Sequence, residues 1–107
     1  MPLTSREKRV MLQLPVEVRG EDAGGASFTE RTRSINVSGG GICFESRRAL
    51  AIGARVRLAI ELPVRLRRHF GNKGVYRARA VVCRVERHPI PEAARIGARF
   101  LPEDGPE

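Results

Sequence analysis

The chain has 107 residues, with 20 Lys plus Arg against 12 Asp plus Glu, a formal charge of +8 and a pI near 11.1. That length accommodates one modest core rather than two, and the charge draws anions from a distance, phosphate foremost. Aromatic residues make up 5% of the chain and Trp is absent, which disfavours a groove that stacks a long run of unpaired bases.

The opening residues, MPLTSREKR, contain no apolar stretch of signal-peptide length, and no later segment approaches the ~20 apolar residues of a membrane span. The expectation is a cytoplasmic protein without membrane insertion, whose residues 1–11 form a flexible basic arm. In LQLPVEV, Leu12, Leu14, Val16 and Val18 alternate with Gln13, Pro15 and Glu17, the pattern of a half-buried strand; Pro15 suits an edge or a first strand position. A second strand ends around Ser34 to Asn36, with Arg31 and Arg33 sharing one of its faces. ICFES sets Ile42 and Phe44 against Cys43 and Glu45.

RVRLAIELP turns Val56, Leu58, Ile60 and Leu62 inward and Arg57 and Glu61 outward, and Pro63 closes it. VYRARAVVCRVE predicts a long basic strand whose alternation shifts at Val81 and Val82, as a bulge would shift it. RIGARF supplies the last strand, with Ile96, Ala98 and Phe100 on one side and Arg99 on the other. TSREKRVMLQ lacks an apolar stripe at helical spacing, and PVRLRRHF is barely two turns long, so little helix is expected. The fold class that follows is all-β: a small six-stranded antiparallel barrel over residues 12–102, because several short strands with regular turns need closure to protect their edges. Residues 103–107, EDGPE, read as a flexible tail.

Cys43 and Cys83 have no CxxC spacing and are expected to be reduced thiols in or near the core. His69 and His88 lie in Arg-rich loop contexts and read as surface residues. No Ser-His-Asp or Cys-His arrangement and no carboxylate cluster with metal-ligand spacing stands out, so neither catalytic nor metal residues are assigned and an enzyme is not expected.

The stretch RSINVSGGGICFES places short polar side chains before three consecutive glycines. Asn36 offers an acceptor and two donors that suit the edge of a base, and Ser38 suits a phosphate oxygen. The alternative is a tight turn in which Asn and Ser make local bonds and the glycines adopt positive φ.

A basic cluster, SREKR, ahead of the first strand and an Asn-x-Ser-x-x-Gly turn after the second together resemble the PilZ domain, the bacterial receptor module for cyclic di-GMP. The likeness runs from about Ser5 to Phe100: Asn36, Ser38 and Gly41 match the second motif, and IGARF, with Gly97 and Phe100, is similar to the closing strand. Arg9 takes the place of the second arginine of the family's Arg-x-x-x-Arg segment, while Ser5 stands where the first would be. The resemblance implies a split PilZ-like barrel and a cyclic di-GMP effector with no cofactor. Its ligand would be held by Arg6, Arg9, Asn36, Ser38 and Gly41, with Lys8, Gly40 and Arg99 as secondary contacts.

Ligand binding would order the arm against the barrel and change the surface shown to a protein partner. Two other readings stay open. Ser5 suits a PilZ adaptor that has lost the nucleotide and acts through protein contacts, and the +8 charge suits a general nucleic-acid-binding barrel.

Overall fold

A computed structural model describes residues 12–68, 71–87 and 93–102. Its strands are β1 (Pro15–Glu21), β2 (Ser27–Val37), β3 (Gly41–Ser46), β4 (Arg55–Glu61), β5 (Val75–Arg87) and β6 (Ala94–Phe100), with one helical turn, α1 (Val64–Arg67), between β4 and β5. The strands close in the order β1-β2-β3-β6-β5-β4, every pair antiparallel.

The expected alternation fills the interior. Val16, Val18, Phe44, Val56, Leu58, Ile60, Val82 and Ile96 are all buried within one apolar cluster. Each such side chain contributes roughly 1.5–3 kcal/mol by leaving water. Pro15 opens β1, where its missing N–H costs least. The turn from β1 to β2 is set by Asp22, whose Oδ1 accepts from the backbone N–H groups of Gly24 and Ala26, both at 3.0 Å, with Gly25 at φ 89°.

Between β2 and β3 the ladder holds only from Ser34 to Val37. Where the strands part, side chains replace it. Thr32 Oγ1 donates to the Glu45 carbonyl oxygen at 2.6 Å, while the Glu30 carboxylate accepts from Ser46 Oγ at 2.6 Å and from the Arg47 N–H at 2.8 Å. Ser34, fully buried, accepts from the Leu14 N–H at 2.9 Å and donates to the Leu12 carbonyl. Its hydroxyl therefore fastens the chain entering β1 to the middle of β2.

Two expectations change. The bulge of β5 lies between Val82 and Arg84 rather than at Val81 and Val82, because Val82 must face inward opposite Ala98. Cys83, at that bulge, is exposed and not in the core, whereas Cys43 is buried. The single helical turn at Val64–Arg67, within PVRLRRHF, agrees with the little helix expected. The N-terminal arm, His69, His88 and the tail at 103–107 lie outside the described residues.

Replacing Ser34 with Ala strands a buried backbone N–H and a carbonyl while leaving the packing volume almost unchanged. The expected loss is about 1–3 kcal/mol of stability, read as a lower midpoint in urea unfolding at an unchanged m-value.

Candidate functional site

Strict alternation along β2 would turn Asn36 inward, two residues after the buried Ser34. A bulge prevents this: Ser34 pairs with Phe44, but Asn36 pairs with Cys43 and Val37 with Ile42. The extra residue sends Val37 into the core and rotates Asn36 onto the outer wall beside Cys43. The β5 bulge has the same effect on the opposite flank. Val82 pairs with Ala98 inside, and Arg84 pairs with Gly97 outside. One outer row therefore reads Asn36, Cys43, Gly97, Arg84 across four adjacent strands, and the next row sets Gly41 opposite Arg99.

Gly97 explains why Arg84 can lie down across this row. A Cβ on Gly97 would stand 3.4 Å from Arg84 Cβ and 3.5 Å from its Nε and Nη2, so the arginine occupies the space that a side chain would fill. Its guanidinium reaches Glu86 at 3.6 Å on one side and approaches the Cys43 thiol on the other. The result is a shallow depression of about 560 Å³, floored by Gly41 and Gly97 and edged by Asn36, Ser38, Cys83, Arg84 and Arg99. Arg95 lies on the same outer wall between Glu45 and Glu86, and its Nε is buried without a hydrogen-bond partner.

The glycine turn is held by local bonds of Ser38, as the tight-turn alternative expects, but its glycines do not supply the expected positive φ. Ser38 Oγ accepts from the N–H groups of Gly40 at 3.1 Å and Gly41 at 3.2 Å, and the Ser38 N–H donates to the Gly41 carbonyl at 2.9 Å. That use of its lone pairs leaves the hydroxyl proton of Ser38 available to an anionic oxygen. Neither Gly39 nor Gly41 has a positive φ; that conformation falls at Gly25, Gly53 and Gly71. Gly40 ties the turn to β6, its carbonyl accepting from the Phe100 N–H at 2.9 Å.

A Cβ on Gly41 would run into the Ala98 carbonyl oxygen of β6. The close approach of two strands thus requires glycine at this position, whatever else passes over it. A sequence can suggest a glycine motif, but not that the neighbour forbidding a side chain is the chain's own backbone.

Asn36, Ser38, Gly40, Gly41 and Arg99 converge on the depression, while Arg6, Lys8 and Arg9 lie outside the described residues. Arg84 is the residue that sequence reasoning missed. Its signal was the odd spacing of VVCRV, read one residue too early. Among the described residues no group of His, Cys, Asp and Glu could hold a metal ion, and no helix is long and apolar enough to cross a membrane.

Burial pushes the Cys43 thiol above its ordinary value, and the nearby Arg84 and Arg95 offset only part of that. A raised thiol pKa stabilises the fold fully below the unfolded value and loses that contribution as pH climbs through the folded one. Alkaline titration from about pH 8.5 upward should therefore destabilise the parent protein more than a Cys43→Ala variant, as measured by the drop in Tm relative to neutral pH. An aromatic disulfide reagent at neutral pH should modify exposed Cys83 rapidly and buried Cys43 only slowly. Gly41→Ala should lower Tm in the absence of any ligand, by an overpacking cost of about 1–3 kcal/mol.

Known structures share this barrel. Inhibitor of motility MotI/DgrA of Bacillus subtilis aligns over 94% of the chain and 44% of its own length, with 24% identity and a TM-score of 0.65. The PilZ domain of YcgR from Escherichia coli, solved with c-di-GMP, aligns over 90% of the chain and 76% of its own, at 22% identity and a TM-score of 0.60. The MrkH–c-di-GMP complex of K. pneumonia aligns over 92% of the chain and 45% of its own, at 16% identity and a TM-score of 0.61. The chain thus spans less than half the length of MotI and MrkH. Among curated proteins none matches the chain. The family model described as the PilZ domain matches residues 4–107, nearly the whole sequence, and the chain belongs to that family.

Proposed function

We propose that the chain is a cyclic di-GMP effector module that binds the dinucleotide on the outer wall formed by β2, β3, β6 and β5. The reading rests on family membership and on the two structural neighbours solved with c-di-GMP. The observation that carries it is the pair of opposed bulges. They bring Asn36 and Arg84 onto one outer row, with Arg84 laid over Gly97, so that an amide and a guanidinium plane face the same depression.

The ligand's chemistry divides between these groups. Asn36 pairs with a guanine edge through its amide, and the Ser38 hydroxyl donates to a phosphate. Arg84 and Arg99 offer guanidinium forks to phosphate or to the guanine O6 and N7 acceptors. Arg6 and Arg9 close the site from the arm, with Lys8 and Gly40 as secondary contacts.

Covalent geometry supports a role for Arg9. It lies three residues before Leu12, a reach of at most ~11 Å, and Leu12 is fastened to Ser34, two residues from Asn36. Closure of the arm over the dinucleotide is then the event that changes the surface offered to a protein partner. Binding alone suffices for this function, with no chemical step. A second reading is favoured by Ser5, which removes one guanidinium: an adaptor with the same barrel that works through protein contacts and takes no nucleotide.

Calorimetry with the purified chain and cyclic di-GMP, with GTP as the control, separates them. The effector reading expects micromolar or tighter binding, weakened by Asn36→Ala, Arg84→Ala or Arg9→Ala by about 1.5–3 kcal/mol each. It also expects the bound dinucleotide to protect Cys83 from thiol reagents. Absence of heat and of any Tm shift at high ligand excess would sink it, and binding gained only in Ser5→Arg would assign the parent to the adaptor class.

A further inference from the structure

A second charged surface lies away from that site. On the outer wall of β1, β4 and β5, Arg19 stands directly opposite Arg57, and Arg57 directly opposite Arg79. Three like charges in one cross-strand row, about 4.8 Å from strand to strand, repel one another. Arg55 and Arg77 widen the patch one step along β4 and β5, with Arg77 opposite Ala59.

Internal compensation is uneven along the patch. Arg19 meets Glu17 at 3.4 Å, and Arg79 donates to the Pro102 carbonyl at 3.4 Å. Among the described residues, no carboxylate stands within ion-pairing distance of Arg55, Arg57 or Arg77, all of them exposed. A shallow depression of about 390 Å³ lies over Arg19, Arg57 and Arg79, with Ala59 and Pro102 at its edge.

We propose that this arginine row is the docking site for a short acidic segment of a partner protein, whose carboxylates bridge neighbouring guanidinium groups. Arginine forks match carboxylates two bonds at a time, and every cation of the patch is Arg rather than Lys. The dimensions select against a nucleic acid. The strip is two strand spacings wide, roughly 10 Å, and Glu17 and Glu61 border it on β1 and β4. A phosphate backbone continuing along the strands on the Arg77 side would meet those carboxylates, and nucleic-acid interfaces cover on the order of 1,000 Å² of positive surface. Two or three acidic side chains along an extended segment repeat at about 6.8 Å and fit within the length of the row. Since β1 and β4 are paired on both sides here, a segment lying across their outer face is recognised through its side chains. None of these residues belongs to the proposed nucleotide site, so the inference stands apart from it.

Fluorescence anisotropy with labelled hexaglutamate peptide at near-physiological salt tests the proposal on the full chain. The parent protein should bind, and the double variant Arg57→Glu, Arg77→Glu should bind about tenfold or more weakly. A double variant of equal charge change elsewhere, Arg33→Glu with Arg47→Glu, should bind like the parent. Arg57→Gln relieves the opposed charges and should raise Tm by about 1–4 °C, a reading that does not depend on the peptide. Failure of the parent to bind even at low salt, or equal weakening by the two double variants, overturns the proposal. Tighter binding of a short DNA duplex than of the peptide through Arg57 and Arg77 would also overturn it, assigning the row to nucleic acid.

Discussion

The inward alternation of apolar side chains around a closed ladder is the constraint that everything else obeys. In a barrel this small each strand has one buried face, so a residue's position in the register decides whether it meets the core or the solvent. Val18, Phe44, Ile60, Val82 and Ile96 are held in by that rule. Every functional feature on the outer wall is then a consequence of which residues the core leaves behind. The bulges in β2 and β5 are the two places where the count slips, and both slips fall on strands that flank the β3–β6 pair. Each keeps a valine inside, Val37 or Val82, and in doing so moves a polar residue out, Asn36 or Arg84.

Much of this order was legible in the sequence. The strands around Val16, Phe44, Leu58 and Ile96 could be read because period-two alternation and core burial are the same fact stated in one and three dimensions. β2 was the hardest to read, since Glu30, Thr32 and Ser34 take positions that apolar residues occupy elsewhere. Their hydrogen bonds across the parted strands depend on Glu45, Ser46 and Leu14, residues whose proximity no local pattern encodes. The β5 bulge was visible as a disturbance, but its position was not. Deciding between Val81 and Val82 as the inward residue requires knowing that Ala98 lies opposite, which is tertiary information.

The glycines divide in a way that composition could not show. Gly25 and Gly53 serve backbone conformations that other residues rarely adopt. Gly41 and Gly97 serve space: one admits the Ala98 carbonyl, the other admits the Arg84 side chain. The two sit in neighbouring rows of the same wall, so a requirement of strand packing and a requirement of side-chain placement together shape one shallow depression, with Arg84 lying across part of its base. A surface suited to a planar ligand can therefore arise from constraints internal to the barrel. Ser38 follows the same logic, because the bonds that hold its turn also fix the direction in which its remaining proton can be offered.

Strand β5 links the two charged walls. Its first half pairs with β4 and carries Arg77 and Arg79 toward the arginine row; its second half pairs with β6 and carries Arg84 toward the glycine floor. The bulge lies just beyond the point where β5 exchanges its β4 contacts for β6. Without it, continuous alternation after Val82 would turn Arg84 inward, where a guanidinium without a partner could not be desolvated. The extra residue at Cys83 thus does three things at once: it preserves the core at Val82 and Val85, releases Arg84 to the outside, and separates the fields of the two walls along one strand. A strand with strict alternation could serve only one of those walls, so the length of β5 and its single irregularity are what allow a barrel of six strands to present two distinct cationic surfaces.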